Sequence, residues 1–459
     1  MAPFKRAGEH PRAARGERRA GRPPGAAGGV PRWSAAQAEA HLRSLELFGM
    51  RFGLEKMRRM MTALGSPQRR FDSIHIVGTN GKTSTALMTA AILERHGLRT
   101  GTYTSPHLAS YRERVRVDER EVSGEAFAEA LARAAWASER VNRTLSGGDH
   151  VTQFELLTAA AFWEMARRPV QVAVIEAGLG GRYDATSVIE SSATVLTNVG
   201  LEHTRWLGPT LKDIAEEKLA VLGRGTTLVL GPDLAPAAGA VAARLARERA
   251  ARIERADPAA QPVPRLRARG AFQRANFALA RAAAAVYLEG AGLPVRERAV
   301  AEAAAATAVP GRMQLVCEDP PTLLDAAHNP HAVKALVESL PDVLPARPRA
   351  LVLGVLDDKD AAAMLELLLG VSERAWFTAP PSSRALPPAA LLSRASQLAF
   401  EPAACEPEPR TALDQAQRWA RARGGAVLAT GSVYLVGDLL GELELGARTR
   451  GQGRRERAR

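Results

Sequence analysis

Ile74-His75-Ile76-Val77-Gly78-Thr79-Asn80-Gly81-Lys82-Thr83-Ser84-Thr85 passes from an apolar run through a glycine turn into an Ala/Leu/Met-rich stretch. A strand, a loop and a helix in that order form a phosphate cradle. Glycines let the backbone turn its N–H groups toward an anion, the new helix adds the positive end of its dipole, and Lys82 supplies a point charge for terminal phosphates. Thr83 or Ser84 stands where a hydroxyl could reach Mg²⁺. The spacing departs from the commonest form of the loop, because only Thr79 and Asn80 separate Gly78 from Gly81. A plain glycine turn before a helix is the other reading of this stretch taken alone.

Outward from the loop, short apolar runs alternate with helical stretches from residue 72 to residue 440, which predicts α/β architecture with mainly parallel strands. Strands are expected at Val170–Glu176, Ala193–Asn198 and Thr226–Leu230. Helices are expected at Phe154–Arg167, Leu211–Leu222 and Phe272–Glu289. A second series follows Pro310, with strands near Thr322–Leu324, Ala350–Gly354 and Ala426–Ala429. The Ala/Arg/Pro-rich stretch 235–268 reads as a surface helix plus a loose connection. The break between Leu293 and Pro310 divides the chain into a phosphate-binding domain, 33–306, and a smaller domain, 307–446, flanked by tails 1–32 and 447–459.

A chain of 459 residues exceeds one ordinary core, which fits that division. The formal charge of +13 sits in the tails. Residues 1–32 carry a net of +6 and residues 447–459 a net of +5, leaving +2 for residues 33–446. Both tails are Arg/Gly/Ala/Pro-rich without apolar periodicity, so they are expected to be disordered and solvated, with no specific nucleic-acid partner. The first tail lacks the apolar core of a secretory signal, although its Arg-rich start superficially resembles a transit peptide. No apolar run approaches the ~20 residues that cross a bilayer. Cys317 and Cys405 form no Cys-x-x-Cys pair, which argues against a disulfide framework or a structural zinc site and fits a reducing cytoplasm.

Polar residues gather where strands end. Tyr103-Thr104-Ser105-Pro106-His107 stops a strand at a Ser-Pro turn. Val174-Ile175-Glu176-Ala177-Gly178-Leu179-Gly180-Gly181-Arg182 places Glu176 at the end of an apolar strand, where burial is costly unless the carboxylate meets a cation. A metal beside a triphosphate is one such cation and Arg182 is another. The next strand delivers Glu202 and His203 to the same edge, and a neutral imidazole can coordinate a divalent metal. Lys218 follows Glu216 and Glu217 on a helix, where charge pattern alone suggests an ion pair. Gln273 and Asn276 share a helical face and could hydrogen-bond a base. Asp325 ends a further strand, where a carboxylate can accept from ribose hydroxyls. Asp357-Asp358-Lys359-Asp360 reads equally well as a solvated turn.

In this order, Gly78–Ser84, Thr104–Leu108, Glu176–Thr186, Glu202–Gly208 and Leu324–Pro330 resemble the bacterial folylpolyglutamate synthase/dihydrofolate synthase family, a branch of the Mur ligase superfamily. The resemblance covers residues 45 to about 442. It implies a P-loop ATPase domain followed by a smaller Rossmann-like domain, with ATP and the acceptor bound between them. It implies ATP contacts at Gly78, Thr79, Asn80, Gly81, Lys82, Thr83, Ser84, Gln273, Asn276, Arg312, Asp325 and His328. Magnesium would be held by Ser105, Glu176 and His203, and by Lys218, which matches a lysine carbamylated in the family. Lys82, His203 and Lys218 are the implied catalytic set. Pterin contacts would map to Leu45–Phe48, to Thr152, Gln153, Phe154 and Glu155, and to Tyr183, Asp184 and Ala185. Thr83 stands where the family usually has glycine, Phe272 replaces a common histidine, and Leu219-Ala220 follow Lys218 in place of Ala-Gly.

The expected reaction is ATP-dependent amide-bond formation between dihydropteroate or a reduced folate and L-glutamate, through an acyl phosphate, by a cytoplasmic monomer. A cell-wall Mur ligase is the nearest rival, since Gly-Lys-Thr resembles those enzymes. They place a uridine-nucleotide domain ahead of the loop, for which the residues before Gly78 are too few.

Overall fold

The computed structural model describes residues 29–45, 53–146, 149–259, 265–345 and 347–443. Residues 1–28 of the expected tail 1–32, the whole expected tail 447–459, and Glu46, Leu47 and Phe48 of the expected pterin stretch lie outside the described residues.

Among the described residues the strands form two sheets. The first contains β1 Asp72–Val77, β2 Thr100–Tyr103, β3 Val115–Val117, β4 Arg120–Glu121, β5 Val172–Glu176, β6 Ala193–Leu196, β7 Thr227–Leu230 and β8 Arg252–Arg255. Their order is β4-β3-β2-β5-β1-β6-β7-β8. Every pairing from β2 to β8 is parallel, and only the small β2-β3-β4 meander is antiparallel. The second sheet contains β9 Gln314–Glu318, β10 Pro321–Leu324, β11 Arg349–Leu353, β12 Arg374–Phe377, β13 Ala403–Cys405 and β14 Ala426–Thr430, in the order β13-β12-β11-β14-β10-β9. It is parallel except where β9 returns against β10.

β1 is central because both its faces are covered. Ile74 and Ile76 pack toward the helices Lys82–Arg95 and Ala271–Gly290, in one core with Val174, Val195 and Phe277. The other side of the sheet is covered by Tyr103, Phe127, Phe162 and Ile175, which belong to a second core with the helices Gly124–Asn142 and Gln153–Arg167. Helix starts are marked locally. Thr152 with Glu155 and Thr210 with Asp213 form reciprocal capping boxes, each satisfying two otherwise orphaned backbone donors.

The stretch 235–268 corrects an expectation. Its helix is present at Pro236–Glu248, but the loose connection contains β8, which extends the sheet beside β7. Arg252-Ile253-Glu254-Arg255 carries one apolar residue because it is a terminal strand, and such strands give little hydrophobic signal.

Candidate active site

A cavity of about 1290 Å³ opens between the carboxyl ends of the two sheets, beside the central strand where connections diverge to either side. The Gly78–Ser84 loop forms part of its wall. Gly78 (φ 149°) and Gly81 (φ 82°) adopt backbone conformations that side chains disfavour, and a Cβ at Gly81 would lie 2.3 Å from Asn276 Oδ1. The end of β6 pins the loop. Asn198 accepts from the Thr79 and Asn80 N–H groups at 3.0 and 2.9 Å, while Thr197 Oγ1 donates to the Asn80 carbonyl at 2.6 Å. Lys82 starts the helix and its ammonium rests on the Thr79 carbonyl at 3.1 Å.

Glu176, only 1% exposed, accepts from Thr83 Oγ1 at 2.9 and 3.0 Å and from the Ser105 N–H at 3.1 Å. Burial raises its pKa, opposed by Lys82, Ser105, Thr83 and Arg312. The expected alternative, an ion pair with Arg182, is not formed; Arg182 instead meets Glu217 at 2.8 Å. His203 caps the short helix Thr204–Leu207 in a left-handed conformation (φ 52°, ψ 35°), which holds strain of the kind found at functional sites. Burial lowers His203 to about 4, opposed by Glu202 and reinforced by Lys359, Lys82 and Lys218, so the imidazole is neutral at pH 7.

Lys218 likewise departs from the ion-pair reading. Its side chain is buried, and Nζ donates to the Gly78 carbonyl at 2.7 Å, directly beneath the loop. Burial, with help from Lys82, pulls its pKa down to about 7, giving it an appreciable neutral-amine fraction near pH 7. Glu216 and Glu217 are paired elsewhere, with Arg244 and Arg182. Among the described residues no three His, Cys, Asp or Glu side chains gather as a metal cluster. The four residues that the resemblance implies for magnesium, Ser105, Glu176, His203 and Lys218, all line the cavity, and the Ser105 hydroxyl and Glu176 carboxylate are the oxygen donors that magnesium favours.

On the far wall, Thr152 and Glu155 are occupied with their capping box, and Glu155 also lies 3.4 Å from buried Lys56. The Gln153 amide donates to the Leu42 carbonyl. Phe154 presents its ring across the Gly178 backbone and near Tyr103. Asp184 is buried and accepts from Leu179 N and from Thr186. Tyr183 is half exposed at the rim, and Ala185 lines the wall beside Asp184.

The second sheet contributes Arg312, Asp325 and His328. Asp325 accepts from Met313 N and Ala327 N, both at 2.8 Å, and Met313 itself is held at φ 41°. Burial raises the Asp325 pKa, opposed by Arg312. Of the expected nucleotide contacts, Gln273 alone does not line the cavity. It is fully buried behind Asn276 and spends Oε1 on the Asn276 amide at 2.9 Å, so the shared helical face orients Asn276 instead of offering two amides to a base.

Residues 76–230 match the model of the Mur ligase middle domain and residues 311–433 that of the Mur ligase glutamate ligase domain. The folylpolyglutamate synthase of Lacticaseibacillus casei is 33% identical over 72% of this chain and 83% of its own length. The dihydrofolate synthase/folylpolyglutamate synthase of Escherichia coli K12 is 32% identical over 78% of this chain and 83% of its own. The chain belongs to the folylpolyglutamate synthase/dihydrofolate synthase family. It is an ATP-dependent glutamate ligase of Mur type. Solved members of the family superimpose over nearly the whole chain. Mycobacterium tuberculosis folylpolyglutamate synthase complexed with ADP gives a TM-score of 0.83 at 30% identity, covering 89% of this chain and 98% of that one. E. coli FolC in complex with DHPP and ADP gives 0.78 at 29% identity, covering 90% and 99%.

Within this family member, three contacts at the cavity escape a reading by motif. Glu202 accepts from Lys359 Nζ at 3.2 Å and lies 3.3 Å from His328 Nε2, joining the two lobes across the cavity. Burial pushes Glu202 up, but His328 and Lys359 outweigh it and hold the carboxyl well below the usual range. Asn80 and Asn329 exchange amide hydrogen bonds at 3.3 and 3.0 Å, so the loop touches the second lobe directly. Arg114 is buried at the wall with its Nε on His107 Nδ1 at 2.9 Å. Lys359 sat in a turn that looked solvated, and only the fold brings its partner from the other sheet.

Proposed function

We propose that this ligase joins L-glutamate to the carboxylate of 7,8-dihydropteroate or a reduced folate, with the lobes divided as 33–306 and 307–446. The observation that carries the reading is a shared cavity, in which the phosphate loop, the Phe154–Asp184 wall and the edge of the second sheet face one another. A carboxylate is a poor electrophile. Transfer of the γ-phosphoryl group makes it an acyl phosphate, from which phosphate leaves when the glutamate amine attacks.

The residues divide this work. Lys82 offsets charge on the transferring phosphoryl group, and the Gly78–Ser84 N–H groups fix its position. Phe154, Tyr183 and Asp184 take the pterin, with the ring of Phe154 as the stacking surface and Asp184 as the acceptor for ring donors. Asn276, Arg312, Asp325 and His328 surround the rest of the nucleotide. Ser105, Glu176, His203 and a carbamylated Lys218 hold magnesium, which when bound neutralises part of the triphosphate charge. The neutral fraction of the Lys218 amine is the form that carbamylation requires. The reading is of a cytoplasmic enzyme, which works where ATP and folates are found.

Phosphate release by purified protein with ATP, Mg²⁺ and L-glutamate should depend on an added pterin, with a glutamylated product in the same mixture. Product from dihydropteroate alone identifies a dihydrofolate synthase. Product from dihydropteroate and tetrahydrofolate identifies a bifunctional enzyme. Absence of any pterin-dependent product would overturn the substrate assignment while leaving the ligase framework intact.

A further inference from the structure

His75 lies three residues before the loop, on the central strand, and is 1% exposed. Its neighbours Ile74 and Ile76 face one core, so His75 faces the opposite side, where an aliphatic residue would pack without cost. A buried imidazole there needs a hydrogen-bond partner. Its partner is Thr186, whose Oγ1 lies 2.9 Å from Nε2. The same hydroxyl lies 2.5 Å from Asp184 Oδ1, which also accepts from Thr186 N at 3.0 Å, while Asp184 Oδ2 accepts from Leu179 N at 2.8 Å.

The directions of these bonds follow from the chemistry of the groups. With the Leu179 and Thr186 backbone N–H groups already aimed at it, the Asp184 carboxyl acts as an acceptor, so the Thr186 hydroxyl proton points toward it. The Thr186 oxygen then has only lone pairs left for His75, and His75 Nε2 must carry the hydrogen. Burial lowers His75 to about 4, which keeps the imidazole neutral with that one tautomer. Burial also works against ionisation of Asp184, so each donor directed at its carboxylate counts.

We propose that His75 is a positioning residue for acceptor recognition: through the Thr186 hydroxyl it fixes Asp184 as an oriented, acceptor-only carboxylate at the pterin wall. The relay runs from the strand that carries the phosphate loop to the wall that holds the acceptor, and it touches neither phosphate nor metal residues. It rests on the assignment of Asp184 to the pterin.

The test is steady-state ligase kinetics with dihydropteroate and tetrahydrofolate as probes, on Asp184→Asn, Thr186→Val, Thr186→Ser, His75→Leu and His75→Gln. Thr186→Val and His75→Leu should each raise the KM of the accepted pterin about tenfold, the worth of a hydrogen bond acting on a charged group, with kcat and the ATP KM within about twofold. Thr186→Ser and His75→Gln keep a donor at the same place and should restore pterin KM to within about threefold. The double variant His75→Leu/Thr186→Val should be no worse than the poorer single variant, because both cut one chain. If His75→Leu fails to fold, the Thr186 pair decides alone. An Asp184→Asn enzyme with normal pterin KM would remove Asp184 from the pterin site and the relay with it. A raised pterin KM in Asp184→Asn beside normal values in Thr186→Val would overturn the relay alone. So would parallel losses in kcat, ATP KM and pterin KM, which mean general damage to the fold.

Discussion

The first lobe meets the cavity with two lysines resting on backbone carbonyls, whereas the second meets it with an aspartate and a lysine already committed to donors or to a carboxylate. Among the described residues the hydrogen bonds of Lys82 and Lys218 go to backbone carbonyls. In the second lobe, both Asp325 oxygens accept from backbone N–H groups, and Lys359 is paired with Glu202. The difference teaches a division of labour. Lys82 beside the glycine loop is placed to receive anionic charge, and Asp325, satisfied in advance, meets it with fixed geometry. His203 in the first lobe and Met313, next to Arg312 in the second, both hold left-handed backbone.

The comparison breaks first at Lys82. Lys82→Ala should lower ligase turnover about a thousandfold, measured as pterin-dependent phosphate release, because a preorganised charge at the transferring group is removed. Full turnover in that variant would end the claim that the first lobe handles the phosphoryl group. The contact between lobes comes next. Glu202→Ala leaves part-buried Lys359 with Asp358 alone and cuts the bridge that aligns the lobes, which should cost about fiftyfold in kcat. A change in ATP KM with kcat intact would instead make Glu202 a part of the first lobe's binding surface.

Acid should separate the lobes in stability. His41, His75, His107 and His203, all in the first lobe, are held below their ordinary pKa chiefly by burial. For His75 the unfolded chain takes up a proton near 6.5 and the folded one only near 4. Stability is therefore full above about 6.5 and falls as pH drops toward 4, by about 2 kcal/mol between pH 7 and 5 for this residue. Thermal unfolding followed by tryptophan fluorescence in a Trp376→Phe/Trp419→Phe background reads the first lobe, and its midpoint should fall over that interval. A flat midpoint, or earlier loss of the second lobe, would contradict the assignment. The smallest effect belongs to the wall. Phe154→Ala should raise pterin KM about tenfold and leave ATP KM unchanged, and an unaltered pterin KM would remove Phe154 from the site.

Much of this was legible from residue order. The apolar run before Gly78 and the polar residues ending β5, β6 and β10 predicted the parallel sheets and put Glu176 and His203 at the carboxyl edge of the first and Asp325 at that of the second, since parallel strands present their carboxyl ends together. Directions of side chains were not legible. Gln273 and Asn276 share a face at the expected spacing, yet only Asn276 reaches the cavity. Nor were partners from distant segments, because nothing near Lys359 in sequence announces Glu202 and nothing near His75 announces Thr186. Charge pattern misjudged Lys218 for the same reason: the carbonyl beneath which it lies belongs to Gly78.

The strand least visible in the sequence has a consequence of its own. As the last member of its sheet, β8 carries a row of backbone groups that the sheet leaves without a neighbouring strand, the arrangement from which fibres grow. Arg252, Glu254 and Arg255 crowd that border with charge, and a strand from another copy would have to dehydrate them to add there. The residues that hide β8 from a hydropathy reading thus also discourage the sheet from propagating between molecules.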